Sequence, residues 1–171
     1  MKTALITGAA KGIGRAIALG LAHDGFRIAL HYHTSVEAAE ETVAAIRKAG
    51  GKAEPFAADL TVPAEVDELV KRVTGTCGGI HTLVSNAGIL RSQLLAFTGL
   101  DTWREVHAAN LDAAFLLTKA LTRPMARQQA GRIIYIASAA GLMGDLMRAA
   151  YSSSKAALFG LAKTAASELA A

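Results

Sequence analysis

A single cysteine, Cys77, in 171 residues excludes an intrachain disulfide and the small cystine-stapled folds, and makes a reducing cytoplasm the natural setting. It lies in a Gly/Thr stretch read as a turn, with no histidine beside it, so nothing there activates a thiol nucleophile. No apolar run reaches the length of a membrane span, and Met1-Lys2-Thr3-Ala4-Leu5-Ile6-Thr7 gives way to glycine too early for the core of a signal peptide. Aromatic residues are sparse, at 5%. They do not interleave the basic residues, which are dispersed, with only Arg47-Lys48 and Lys71-Arg72 adjacent. The net charge of +4 therefore reads as solvated surface charge, and nucleic-acid binding is excluded.

What is present is a globular balance of 52% hydrophobic and 19% charged residues, with no repeat and no low-complexity segment. The length suits one domain, residues 1–171. Short apolar runs alternate with stretches of helical period. Strands are expected at Ala4–Thr7, Phe26–His31, Ala53–Ala57, His81–Ser85 and Arg132–Ala137, the last buried on both faces. Helices are expected from Ile13 to His23, ended by Asp24-Gly25, and from Val36 to Ala49, opened by Thr34 and Glu37 in capping-box spacing and closed at Gly50-Gly51. Thr61 should cap a third helix with Pro63 in its first turn. A long helix should run from Asp101 to Gln128, bent or broken at Pro124, and a last one from Tyr151 onward. Right-handed crossovers then give an α/β fold, a doubly wound Rossmann-type parallel sheet in a three-layer αβα sandwich.

After the first strand comes Thr7-Gly8-Ala9-Ala10-Lys11-Gly12-Ile13-Gly14. Glycines at spacings of four and two permit a tight turn and close backbone approach, and the free amides and positive end of the helix attract a pyrophosphate. A glycine turn alone is weak, but this one follows a first strand, opens a first helix and precedes a second strand. At the ribose position stand His31, Tyr32, His33 and Thr34, with no carboxylate before Glu37. An acidic group there would grip the ribose of NAD and repel a 2'-phosphate. Its absence, with Lys11 as a ready cation, favours NADP(H) over NAD(H). His31 and His33 share a strand face, but without a third ligand they make no metal site.

These residues, with Asp59 after strand three, Asn86-Ala87-Gly88 after strand four, and Asn110, Ser138, Tyr151 and Lys155 in order, resemble the short-chain dehydrogenase/reductase family. Within it they resemble the branch of the 3-oxoacyl-acyl-carrier-protein reductases. The resemblance runs over essentially the whole chain. It implies a catalytic set of Asn110, Ser138, Tyr151 and Lys155. Combined with the turn and the ribose position, it gives a cofactor-binding set of Gly8, Lys11, Gly12, Ile13, Gly14, His31, Asp59, Leu60, Asn86, Ala87, Gly88, Tyr151 and Lys155. In the family the lysine also binds the nicotinamide ribose, the asparagine holds a water for proton resupply, the aspartate lies near the adenine, and the active protein is a homo-oligomer, usually a tetramer.

The chemistry of the last residues can be argued from their types. Tyr151 and Lys155 are four apart on a helix and share a face. A phenol is a weak acid, so proton exchange near neutral pH needs adjacent positive charge, from Lys155 and an oxidised nicotinamide. Tyr151 is then the general acid in reduction and the general base in oxidation, and Ser138 can hydrogen-bond the substrate oxygen. The expected function is an NADPH-dependent carbonyl reductase, foremost a 3-oxoacyl-[acyl-carrier-protein] reductase of acyl-chain synthesis. The alternatives are an NAD(P)-dependent sugar, polyol or steroid alcohol dehydrogenase, or a catalytically silent dinucleotide-binding protein.

Three departures matter. Ser85 stands where the family often has asparagine, which should affect the support of strand four. The segment Leu142–Arg148 borders the substrate without defining it, and Arg123, Arg127 and Arg132 could face an acidic acyl carrier protein or simply solvent. The family also continues beyond the last helix with a strand, a helix and a final strand that close over the site. Without them strand five is an exposed edge, and a polypeptide ending at Ala171 is expected to bind cofactor weakly and turn over little. Robust NADPH-dependent reduction by that purified length would overturn this expectation. The small residues Ala156, Ala157, Gly160, Ala162, Ala165 and Ala166 permit close packing of the last helix in a subunit interface.

Overall fold

The alternation of apolar residues along the first strands dictates a sheet buried on both sides. Ala4 and Ile6 project into one apolar cluster with Ile28, Leu30, Val43, Ile46 and Val84, while Leu5 projects into another with Ala29, Phe56, Leu69, Val73, Leu83, Leu117 and Leu121. The computed structural model describes residues 1–170. Its strands are β1 (Thr3–Ile6), β2 (Arg27–Tyr32), β3 (Lys52–Ala57), β4 (Thr82–Ser85) and β5 (Arg132–Tyr135). They form one sheet in the order β3-β2-β1-β4-β5, every pair parallel. The chain order reverses between β1 and β4, and this is the switch point where open α/β sheets hold ligands.

The first three crossovers are α1 (Gly12–His23), α2 (Val36–Lys48) and α3 (Pro63–Cys77). Gly25 and Gly50 take left-handed φ values of 83° and 84° to end α1 and α2, as the Asp24-Gly25 and Gly50-Gly51 pairs imply. Neither expected cap forms: Ser35 and Val62 precede α2 and α3, and neither makes a side-chain cap bond. Thr61 instead gives its hydroxyl to Asp59 Oδ1 at 2.7 Å. Cys77 is the last residue of α3 and is buried, not part of a turn. Pro55 sits inside β3, which is tolerable because β3 is an edge strand.

The expected long helix is two helices, α4 (Leu100–His107) and α5 (Ala113–Gln128), joined by a π-helical turn at Ala108–Asp112. Pro124 lies within α5 without ending it. Strand β5 is not buried on both faces: it is the far edge of the sheet, with Arg132 exposed and Ile134 47% exposed. Its apolar composition suits a central strand, but β4 covers only one side. A short helix α6 (Ala140–Met143), a 3-10 turn at Leu95–Phe97 and a start of the last helix α7 (Ala149–Leu169) two residues before Tyr151 complete the chain. The expected continuation of that helix to Ala171 lies outside the described residues. No helix among the described residues is long and apolar enough to cross a membrane.

Candidate active site

At the switch point the ends of β1 and β4 are tied together by Thr7. Its buried hydroxyl accepts the amides of Asn86 and Ala87, both at 2.9 Å. Asn86 returns two bonds through Nδ2, to the carbonyls of Thr7 at 2.8 Å and Gly8 at 3.2 Å. Asn86 thereby supplies the cross-strand support, while Ser85 stays buried in β4 opposite Tyr135. The sequence reading passed over Thr7, although a hydroxyl residue at the mouth of a glycine turn was a signal for it.

The turn between β1 and α1 needs its glycines for two reasons. Gly8 and Gly12 have φ values of 61° and 54°, and Gly12 faces open space. Gly14 is a matter of room: a Cβ there would lie 2.6 Å from Asn86 Nδ2, and closer still to Gly8 O. Gly14→Ala should therefore cost about 1–3 kcal/mol of stability by overpacking and open the cofactor turn, as read by urea midpoint and NADPH titration. The amides at Gly12, Ile13 and Gly14 open α1 with no helical carbonyl one turn behind them. Gly12, Ile13 and Lys11 are exposed there, so a pyrophosphate fits this helix mouth.

Two expected cofactor residues do not present side chains to the cleft. Leu60 is buried in the core beside Phe56 and Leu69, leaving only its backbone for a ligand. His31 is 2% exposed: its Nδ1 accepts the Gly8 amide at 3.2 Å and its Nε2 faces the Ala58 carbonyl at 3.0 Å. Burial pushes this imidazole down to about 4. His33 is exposed, with Nε2 3.8 Å from Asp59 Oδ2, so the two histidines do not share an environment. Asp59 is held below its ordinary value first by the Thr61 hydroxyl and then by the Thr61 amide, and its own amide donates to Glu65 Oε2 at 2.6 Å.

The second half of the site is built on α7 and the π turn. Lys155 is 5% exposed and donates from Nζ to the Ile136 carbonyl at 2.7 Å. Its Nζ lies 5.9 Å from the centre of the Tyr151 ring, and burial lowers its pKa from the usual lysine value. Asn110, in the π turn, is fully engaged: Oδ1 accepts the Ile89 amide at 2.7 Å, and Nδ2 donates to the Ile89 carbonyl and to Ser154 Oγ, both at 3.0 Å. Ser154 passes the connection on by donating to the Tyr151 carbonyl at 2.8 Å. A Cβ on Gly88 would stand 2.9 Å from Asn110 Oδ1 and 3.6 Å from Lys155 Nζ, so a bare backbone is required where these groups converge.

Ser138 precedes α6 and accepts the Ala140 amide at 3.2 Å, which leaves its proton free to donate. Helix α6 lies directly on α7, because a Cβ on Gly141 would come within 2.7 Å of the Ala156 nitrogen. Contacts thus bring Tyr151, Lys155, Asn110 and Gly88 together, and the Gly141 contact carries the Ser138 turn to the same helix. Ser154, adjacent to the lysine, was the member that sequence reasoning missed. No group of three or more metal-ligating side chains occurs among the described residues.

Comparison with known proteins gives this arrangement its context. The pattern of the short chain dehydrogenase family matches residues 2–171. A 3-oxoacyl-[acyl-carrier-protein] reductase of Synechocystis is 44% identical over 169 residues, covering 99% of this chain and 68% of that protein. The 3-oxoacyl-[acyl-carrier-protein] reductase FabG of Staphylococcus epidermidis and that of Staphylococcus aureus are each 40% identical over 99% of this chain and 69% of theirs. A parallel sheet with a glycine turn at its switch point, read beside these matches, makes the chain a member of the short chain dehydrogenases, NAD(P)-dependent oxidoreductases that act on carbonyl and hydroxyl groups.

Proposed function

We propose that residues 1–171 form one dinucleotide-binding and catalytic domain that reduces the keto group of a 3-oxoacyl thioester, with NADPH as the preferred cofactor. The observation that carries this reading is the buried Lys155 ammonium, anchored on the Ile136 carbonyl beside the Tyr151 ring and the bare backbone of Gly88. The chemistry that NADPH would supply when held at this site is a hydride for the carbonyl carbon. As the C=O pair moves onto oxygen, Tyr151 gives that oxygen its phenolic proton, and Ser138 donates a hydrogen bond to it. Lys155 favours the resulting phenolate by its charge, with two N–H groups left for the hydroxyls of a ribose. The Asn110 side chain is occupied by protein at both ends, so its part is to fix the π turn beneath Lys155, and a water for proton resupply would rest on main chain there.

Thioester-bound acyl groups suit the exposed apolar residues Leu142, Met143 and Leu146 flanking the Ser138 turn. An acyl carrier protein is the partner implied by the relatives' names. NADPH is favoured because Lys11 stands exposed at the mouth of α1 and the segment that follows β2 has no carboxylate before Glu37. Lys11→Glu should therefore cut the preference for NADPH over NADH by about tenfold or more, the worth of a charge-assisted hydrogen bond, as read from the two dissociation constants.

The test is NADPH absorbance with an acetoacetyl thioester, a panel of ketones, and sugar, polyol and steroid alcohols. Reduction of the thioester ahead of the panel supports the reading. Turnover confined to alcohols would transfer it to an alcohol dehydrogenase, and cofactor binding without any turnover would leave a silent binding protein.

A further inference from the structure

The proposed site uses the mouth of α1, yet one buried side chain beneath it has no part in that chemistry. His31 ends on β2, between the turn after β1 and the segment after β3, and both of its ring nitrogens are bonded. An amide can only donate and a carbonyl can only accept. The Gly8 amide therefore requires a lone pair on Nδ1, and the Ala58 carbonyl requires the proton on Nε2. The ring is neutral in a single tautomer, and it bridges two loops on opposite sides of β2. Gly8 begins the phosphate turn, and Ala58 immediately precedes Asp59, the residue expected beside the adenine.

We propose that His31 is a positioning residue which, by holding Gly8 and Ala58 at a fixed separation, sets the width of the dinucleotide cleft. This rests on the reading that the cleft binds NADPH. It also assigns the Gly8 amide: its proton points at His31, so the pyrophosphate is left to the amides that open α1. The charged and titratable groups around the ring are His33, just past the end of β2, and Asp59 beyond β3, the latter in turn tied to Thr61 and Glu65. Neither touches the imidazole, so the two backbone bonds define its function.

The two bonds are separable by substitution. In His31→Asn the side-chain oxygen takes the place of Nδ1 and can accept the Gly8 amide, while the Ala58 bond is lost. In His31→Gln the amide nitrogen reaches toward Ala58, while Gly8 loses its acceptor. NADPH fluorescence titration of the purified full chain, with thermal midpoint and Gly8 amide exchange measured alongside, reads both effects. The expected result is that His31→Asn binds NADPH within about threefold of the unmodified protein, whereas His31→Gln stays folded but binds about tenfold more weakly, the worth of one lost buried hydrogen bond. Gly8 exchange should speed up in His31→Gln only. Equal affinity in all three proteins, or losses that follow the thermal midpoint regardless of which bond is kept, would overturn the positioning role. Failure of the unmodified protein to bind NADPH, with Gly8 still protected, would instead overturn the cofactor reading on which that role depends.

Discussion

Replacing Tyr151 by phenylalanine is expected to lower NADPH-dependent reduction by about 10²- to 10⁴-fold, the range for loss of a positioned general acid. The change removes one oxygen and keeps the ring. The ring is the part that lies 5.9 Å from Lys155 Nζ, and the lysine keeps its bond to Ile136 and its place beside Gly88. Cofactor affinity should therefore stay within about twofold, so that the loss falls on kcat. Single-turnover measurements at saturating NADPH check this directly. A variant with the rate of the unmodified protein would remove Tyr151 from the chemistry, and one that had also lost cofactor binding would show that the phenol builds the site rather than acting in it.

That prediction draws on residues whose placement was legible in the chain, and the reason is geometric. Tyr151 and Lys155 are one helical turn apart, so any helix through them puts both on one face. The glycine turn was equally plain, because only glycine suits the φ values at Gly8 and Gly12 and the closeness of Gly14 to Asn86. The parallel α/β architecture followed from short apolar runs alternating with helices. What escaped reading was set by partners distant in sequence. The π turn at Ala108–Asp112 adds one residue to a helical turn, which hydrophobic periodicity does not register, and Asn110 is held there by Ile89 and Ser154, 21 and 44 residues away. Strand β5 has the composition of a central strand, but its exposure depends on which elements flank it. The third helix lost its expected cap for a local reason: Thr61 is turned back onto the Asp59 carboxylate by its amide and hydroxyl, and α3 starts only after Val62.

His31 is the sharpest instance, because a histidine at a strand end beside a cofactor cleft reads as a ligand, whereas this one faces inward. Its burial makes the whole fold sensitive to acid. The imidazole falls from 6.5 to about 4 in the folded protein, so as pH drops the unfolded chain takes up the proton first. The stability contributed by the neutral ring is fully present above about pH 6.5 and is lost as the pH falls through about 4, amounting to about 3 kcal/mol for one such group. The structural cost is specific, since a protonated Nδ1 would turn a donor toward the Gly8 amide, itself a donor. The measurement is comparative: urea midpoints at pH 7 and pH 4.5 for the unmodified protein and for His31→Gln. The unmodified protein should lose more stability between the two than the variant, which has no proton to take up at that position. Identical losses in both would mean that the buried ring does not carry the acid sensitivity.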